Sequence, residues 1–136
     1  MGLRRKGREA ALQMLYQIDI AKVDAEQALR LYWASLSSSI EGEEFANAIV
    51  RGYGVHRERI DDEIQAVSRH WRLERMSCVD RNILRLGAYE LIFLEEVPRR
   101  VVLNEAVELA KSYGSEQSPS FVNGVLDQIA TRLRKE

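Results

Sequence analysis

Ser77-Cys78-Val79-Asp80-Arg81-Asn82-Ile83-Leu84-Arg85-Leu86-Gly87-Ala88-Tyr89-Glu90-Leu91-Ile92-Phe93 is the stretch on which the fold turns. Ser77 with Asp80 reads as a capping box, in which a serine hydroxyl takes up a free N–H of the first helical turn. Beyond it Val79, Ile83, Leu86, Glu90 and Phe93 recur with a helical period of about 3.6 residues and share one stripe. The helix is expected to run to about Glu95, because Val97-Pro98 ends it. Glu90 falls in the middle of the apolar stripe. A buried carboxylate has to be paired or hydrogen-bonded, and no other catalytic group shares the stripe, so Glu90 reads as a polar tie between helices.

The same periodicity extends in both directions. Upstream, a helix from Glu9 to Ile20 would bury Ala11, Met14, Leu15 and Ile18. A second, about Ala25 to Leu36, would end in the serines at 37–39. A third starts near Glu41 with Phe45, Ile49 and Val50, is expected to kink around Tyr53 between Gly52 and Gly54, and resumes through Ile60, Ile64 and Val67 to Trp71. Downstream, Arg100 to Tyr113 carries Val102, Ala106, Leu109, Ala110 and Tyr113 on one face, with Gly114 in the C′ position. Ser118 as N-cap and Pro119 at the first helical position open the last helix, whose stripe is Val122, Val125, Leu126, Ile129 and Leu133. No strand-like alternation, internal repeat or low-complexity tract interrupts the pattern. The fold class is therefore all-α, a compact bundle of about six or seven helices forming a single domain over residues 1–136. Two subbundles, about 1–71 and 77–136, are expected within it, with the break near 72–77.

Composition removes several functions. At 136 residues the chain is about one domain and long enough to bury a core. One cysteine, Cys78, excludes an internal disulfide and suits a reducing compartment. No apolar run approaches the roughly 20 residues needed to cross a bilayer, and no apolar segment follows the N-terminal charges as in a secretory signal. A cytoplasmic protein without membrane contact is expected. His56 and His70 lack further ligands at metal spacing, Cys78 has no histidine close in sequence, and Gly52 and Gly54 lack the strand and the following Lys or Ser of a phosphate loop. No catalytic residue, metal or cofactor is expected.

What remains is the N-terminus. The chain is nearly neutral, with 20 Lys+Arg against 21 Asp+Glu, yet Arg4, Arg5, Lys6 and Arg8 precede the first acid. Cations on the first turns of a helix oppose the dipole, so stability alone would not place them there. At about 100° per residue Arg5, Arg8, Leu12 and Tyr16 share a sector. Arginines that grip phosphates beside a stacking tyrosine suit single-stranded RNA better than the DNA major groove. From the residues alone, an RNA-binding domain and a helical protein-interaction module both stand.

Three segments carry a resemblance. Val101-Val-Leu-Asn-Glu-Ala-Val-Glu-Leu-Ala-Lys-Ser-Tyr-Gly-Ser-Glu-Gln-Ser-Pro-Ser-Phe-Val-Asn-Gly-Val-Leu-Asp127 resembles the C-terminal signature of the bacterial transcription antitermination factor NusB family. Arg4-Arg-Lys-Gly-Arg-Glu-Ala-Ala-Leu-Gln-Met-Leu-Tyr16 is similar to its Arg-rich start, and Asp80-Arg-Asn-Ile-Leu-Arg-Leu-Gly-Ala-Tyr-Glu90 to its central helix. The resemblance covers essentially the whole chain. It implies a non-enzymatic RNA-binding factor in transcription regulation, acting on boxA-type RNA of nascent ribosomal RNA transcripts. Its partner would be a small-subunit ribosomal protein, NusE, in an antitermination complex with RNA polymerase and other Nus factors. It further implies that Arg4, Arg5, Lys6 and Arg8 hold RNA phosphates with Tyr16 alongside, that Phe121 and Gln117 lie at the RNA, and that Asp80 faces RNA and partner. Gln117 stands where family members often carry Asp, which puts any carboxylate role at that loop in doubt. Some members self-associate through the RNA-binding face, so a homodimer of the free protein is among the implied states. A related resemblance is to the RNA-binding N-terminal portion of certain ribosomal RNA cytosine methyltransferases. That reading would need a following cofactor-binding domain, and so would make this chain a fragment.

Overall fold

The computed structural model describes residues 3–36 and 41–135. Among them lie six α-helices: α1 (Leu3–Ala21), α2 (Ala25–Ala34), α3 (Glu43–Val67), α4 (Cys78–Phe93), α5 (Arg99–Tyr113) and α6 (Ser118–Leu133). A short 3-10 turn spans Leu73–Arg75, and the described residues contain no strand, so the all-α expectation holds. The serines at 37–39, expected to end the second helix, lie outside the described residues.

Two compact units divide the chain, Met1–His56 and Arg57–Glu136. The division falls inside α3, where His56 leaves helical geometry (φ −109°, ψ 23°). The sequence had pointed to a kink at Tyr53 and to a break near 72–77. Tyr53 instead stays helical with its ring buried. One of its flanking glycines serves packing: a Cβ at Gly54 would sit 3.0 Å from the Ala25 Cβ on α2.

In the N-terminal unit α1 packs on α2 and buries Ala11, Met14, Leu15 and Ile18, the stripe expected from its period. It starts well before Glu9, at Leu3, because Arg and Lys are good helix formers and propagate it through the basic block. It ends where Lys22 turns left-handed (φ 60°). Asp24 then caps α2 by accepting from the Gln27 N–H at 2.8 Å. Two side-chain ties join α2 to the first half of α3. Arg51 makes a two-pronged pair with Glu26 (2.7 and 3.2 Å), and the Trp33 indole N–H donates to Asn47 Oδ1 at 2.7 Å.

The C-terminal unit is organised around α4, which packs on both α5 and α6. Every residue from Asn82 to Leu91 is buried, including the polar Asn82, Arg85 and Glu90. Arg85 forms a two-pronged pair with Asp61 of α3 (2.9 and 3.2 Å) and donates to Asn82 Oδ1 at 3.1 Å. Asn82 in turn donates to the Cys78 carbonyl at 2.8 Å. Glu90 is 1% exposed, and Arg134 bonds its carbonyl together with those of Leu91, Leu94 and Val97. One guanidinium thus reaches four carbonyls at the end of α4 and in the turn beyond it, of which those of Glu90 and Leu94 also accept backbone N–H groups. Gly87 allows close contact with α6, since a Cβ there would lie 2.6 Å from Leu126 Cδ1.

Further helix ends differ from expectation: α3 stops at Val67, short of Trp71, and Tyr113 at the end of α5 is 44% exposed, off the buried stripe. Gly114 is extended (φ −97°, ψ −168°), not left-handed. Space demands the glycine, because a Cβ would lie 2.5 Å from Ser118 Oγ. Ser118 is the first residue of α6 and Gln117 its N-cap, while the buried Ser118 hydroxyl accepts from the Ser115 N–H at 2.9 Å.

Arg85→Met removes one half of a buried pair. Asp61 keeps 22% of its side chain exposed, so the loss is expected near the lower end for such a break, about 3 kcal/mol. Urea unfolding checks it: the midpoint falls while the slope stays constant. An unchanged midpoint would show that the pair contributes no net stability.

Candidate RNA interface

The expected site residues divide between the two units. In the N-terminal unit Arg4 and Lys6 are exposed and Arg5 is half-buried on the first turns of α1, which hold no acid. Tyr16, three turns on, is 40% exposed. Arg8 differs: it is 3% exposed. The sector inferred for Arg5, Arg8, Leu12 and Tyr16 is therefore split, with Arg8 and Leu12 inside and Tyr16 outside.

Packing on Phe45 accounts for the split. The Arg4 guanidinium lies 4.7 Å and that of Arg8 5.1 Å from the centre of the Phe45 ring. Residues four apart on a helix share a face, so one ring at the start of α3 serves both cations, whose attraction to its face is electrostatic. Gly7 makes the approach feasible. A Cβ there would meet the Gly42 carbonyl oxygen at 2.7 Å and the Phe45 ring at 3.2 Å. The sequence reading missed Gly7 and Phe45 as parts of this site. The signal for Gly7 was present, a glycine inside a run of strong helix formers.

In the C-terminal unit Asp80, Gln117 and Phe121 come together. They line a cleft of about 250 Å³ with Trp71, Arg75 and Ser115. The N-cap residues of α4 and α6, Ser77 and Gln117, both border it, so two helix N-termini open onto the same space. Their exposed N–H groups and dipoles favour an anion. Gln117 is neutral, so no carboxylate at that N-cap opposes one. Phe121, half-buried, offers part of its ring. Ser77 Oγ accepts from the Asp80 N–H at 3.1 Å, the serine half of the expected capping box. Asp80 Oδ1 is buried and meets no hydrogen-bond donor among the described residues. A buried acceptor left so is costly, and a donor brought by a partner would relieve it.

Among the described residues no three His, Cys, Asp or Glu side chains gather as a metal set, and no helix is long and apolar enough to cross a membrane.

The NusB family model matches residues 5–131. A transcription antitermination protein NusB from Myxococcus xanthus is 47% identical over 99% of both chains. One from an Anaeromyxobacter species is 52% identical, covering all of this chain and 96% of its own. Among solved structures, NusB of T. maritima superposes with a TM-score of 0.84 at 38% identity, over 94% of this chain and 90% of that one. A crystal structure of antitermination factors NusB and NusE in complex with double-stranded RNA gives a TM-score of 0.84 at 31% identity, over 97% and 98%.

Burial separates the arginines by role. Arg8→Ala is expected to lower the thermal midpoint by roughly 3–6 °C, through loss of the buried stem and the ring contact. Lys6→Gln, an exposed change clear of that ring, is expected to leave it within about 1 °C, the usual small effect of a surface change. Differential scanning calorimetry decides; equal midpoints for all three chains would refute the distinction.

Proposed function

The chain belongs to the NusB family of transcription antitermination proteins, and from that premise we propose that it binds boxA-type RNA of nascent ribosomal RNA transcripts jointly with NusE. The relatives matched over nearly their full length are antitermination proteins, not methyltransferases, and function as an antitermination factor rather than an enzyme follows from that membership. A NusB–NusE–RNA assembly exists for a protein of the same fold at 31% identity. The observation that carries the proposal for this chain is the cleft at the N-termini of α4 and α6, where Phe121, Gln117 and the partnerless Asp80 Oδ1 meet.

Roles follow from exposure. Arg4, Arg5 and Lys6 supply phosphate contacts from the start of α1, and Tyr16 adds an exposed ring on the same helix. Arg8 holds that turn in place through Phe45. Phe121 and Gln117 meet RNA at the cleft, and Asp80 takes a donor from NusE. Three cations attract RNA without selecting it, so NusE supplies the remaining contacts and the specificity. The assembled complex then joins RNA polymerase and other Nus factors in the cytoplasm. In free protein the same face is available for homodimer formation, which RNA and NusE would displace.

Electrophoretic mobility assays with boxA-like RNA, with and without NusE, test the reading. Weak binding alone and at least tenfold tighter binding with NusE are expected. With three phosphates engaged on single-stranded RNA, log K should fall with log salt at a slope of about −2 from this chain's cations. No shift in either condition would leave the helical interaction module as the better reading. Asp80→Asn should weaken the gain from NusE while leaving RNA binding by the chain alone unchanged. Equal loss in both would assign Asp80 to the RNA instead.

A further inference from the structure

The segment Ser68-Arg69-His70-Trp71-Arg72-Leu73-Glu74-Arg75 follows α3, which stops at Val67 and not at Trp71 as the helical period suggests; it holds none of the site residues expected from sequence, and it is unusual on three counts. It places a tryptophan in water: Trp71 is 59% exposed. It is cationic, with three arginines and a histidine against one acid. Its backbone is also held firmly. The Gln65 side chain donates to the carbonyls of Ser68 (3.2 Å) and Trp71 (2.9 Å) and accepts from the Leu73 N–H (2.9 Å). Arg81 Nη1 reaches the carbonyls of Leu73 (3.3 Å) and Met76 (3.0 Å). Ser68 Oγ bonds back to the Ile64 carbonyl at 2.7 Å.

Exposing a large aromatic forgoes apolar burial, and here no loose loop explains it. The hydrogen bonds that fix the backbone leave the indole outside. Among the described residues no hydrogen bond, ion pair or ring contact engages the Trp71 side chain. Arg72 is paired with Glu74 at 3.0 Å, whereas Arg69 and Arg75 close no ion pair among the described residues. Along the chain the tryptophan thus lies between two arginines that close no ion pair, on a turn whose backbone is pinned by hydrogen bonds, with Glu74 the one acid beside Arg75. On one side Trp71 and Arg75 line the cleft that holds Phe121. On the other, Arg69 and His70 open onto a groove of about 770 Å³ bordered by Gln128 and Thr131 of α6.

We propose that this turn is a second RNA-contact element, in which Trp71 stacks on an unpaired base and Arg69 and Arg75 hold the phosphates on either side of it. The proposal rests on the RNA-binding reading above and extends the RNA path from the Phe121 cleft over Trp71 toward the α6 groove. Alternating cation and aromatic is the pattern by which single strands are held without base-specific hydrogen bonds. Excess positive charge favours a polyanion over a neutral peptide. Rigidity lowers the ordering cost of binding. The element would add affinity and a requirement for unpaired RNA, not sequence choice.

Tryptophan fluorescence tests this on the full chain. Trp33 and Trp71 are the two tryptophans, so Trp33→Phe leaves Trp71 as sole reporter. If that variant folds poorly, the difference between the unmodified chain and Trp71→Phe gives the same signal. A uridine-rich single-stranded RNA is expected to quench Trp71 emission strongly, and a duplex of equal length to quench it little. Trp71→Ala should weaken single-strand binding about tenfold. Arg69→Gln with Arg75→Gln should reduce the salt slope by about 1.4. Undiminished affinity in both variants with no quenching overturns the proposal while the RNA reading stands, provided Arg4→Gln with Lys6→Gln still weakens binding. Absence of RNA binding by the unmodified chain, with and without NusE, overturns both. Quenching by polyglutamate but not by RNA overturns it in favour of an acidic protein partner.

Discussion

A helix buried along its whole middle must satisfy every polar group it carries, and in this protein α4 sets that condition. From Asn82 to Leu91 every residue of α4 is buried. Its own backbone bonds are internal to the helix, so the demand falls on buried side chains such as Arg85 and Asn82 and on the carbonyls at its end. Arg85 is answered by Asp61, Asn82 by Cys78, and the terminal carbonyls by Arg134. Each answer comes from a different part of the C-terminal unit: the second half of α3, the first turn of α4 itself and the end of α6. Replacing such ties with apolar groups can cost little in stability. What they do is fix register, because a guanidinium that must meet Asp61 at two oxygens tolerates little sliding of one helix along another.

Register matters because the functional surface of that unit is made of helix ends. Asp80 and Ser77 open α4, and Gln117 and Phe121 open α6. Gly87 against Leu126 brings the two helices into contact partway along, and Gly114 with Ser118 shapes the turn from α5 into α6. The cleft results from where these helices begin. Its chemistry is that of helix N-termini, with N–H groups and positive dipole ends directed outward. The neighbouring turn at residues 68–75 adds three arginines beside the cleft, against the acids Glu74 and Asp80.

In the N-terminal unit a smaller device does similar work. A run of cations at the start of a helix is unfavourable with the dipole and prone to fray. Arg8 offsets this by turning inward onto Phe45, while Arg4 leans on the same ring and keeps its charge in water. The first turn of α1 is thereby anchored, and Arg5 and Lys6 extend from an ordered helix.

Much of this was legible from the residues alone. The helical period, the Ser77 cap, the proline after α4 and the buried Glu90 needed only local spacing, because helix geometry repeats over a few residues and apolar stripes must face inward. The motifs at 4–16, 80–90 and 101–127 carried the family. Tertiary structure alone decided which arginine turned inward, since Arg4 and Arg8 are equivalent by spacing and differ only in their position against Phe45, far along the chain. It also placed the α3 kink at His56 instead of between the glycines, because Gly54 is used for contact with Ala25. It set Asp80, Gln117 and Phe121 around one cleft, and left Trp71 in water on a turn pinned by Gln65 and Arg81. A sequence states which residues want burial or charge. Which of several equivalent residues obtains it depends on contacts between distant segments, and those exist only once the helices have packed.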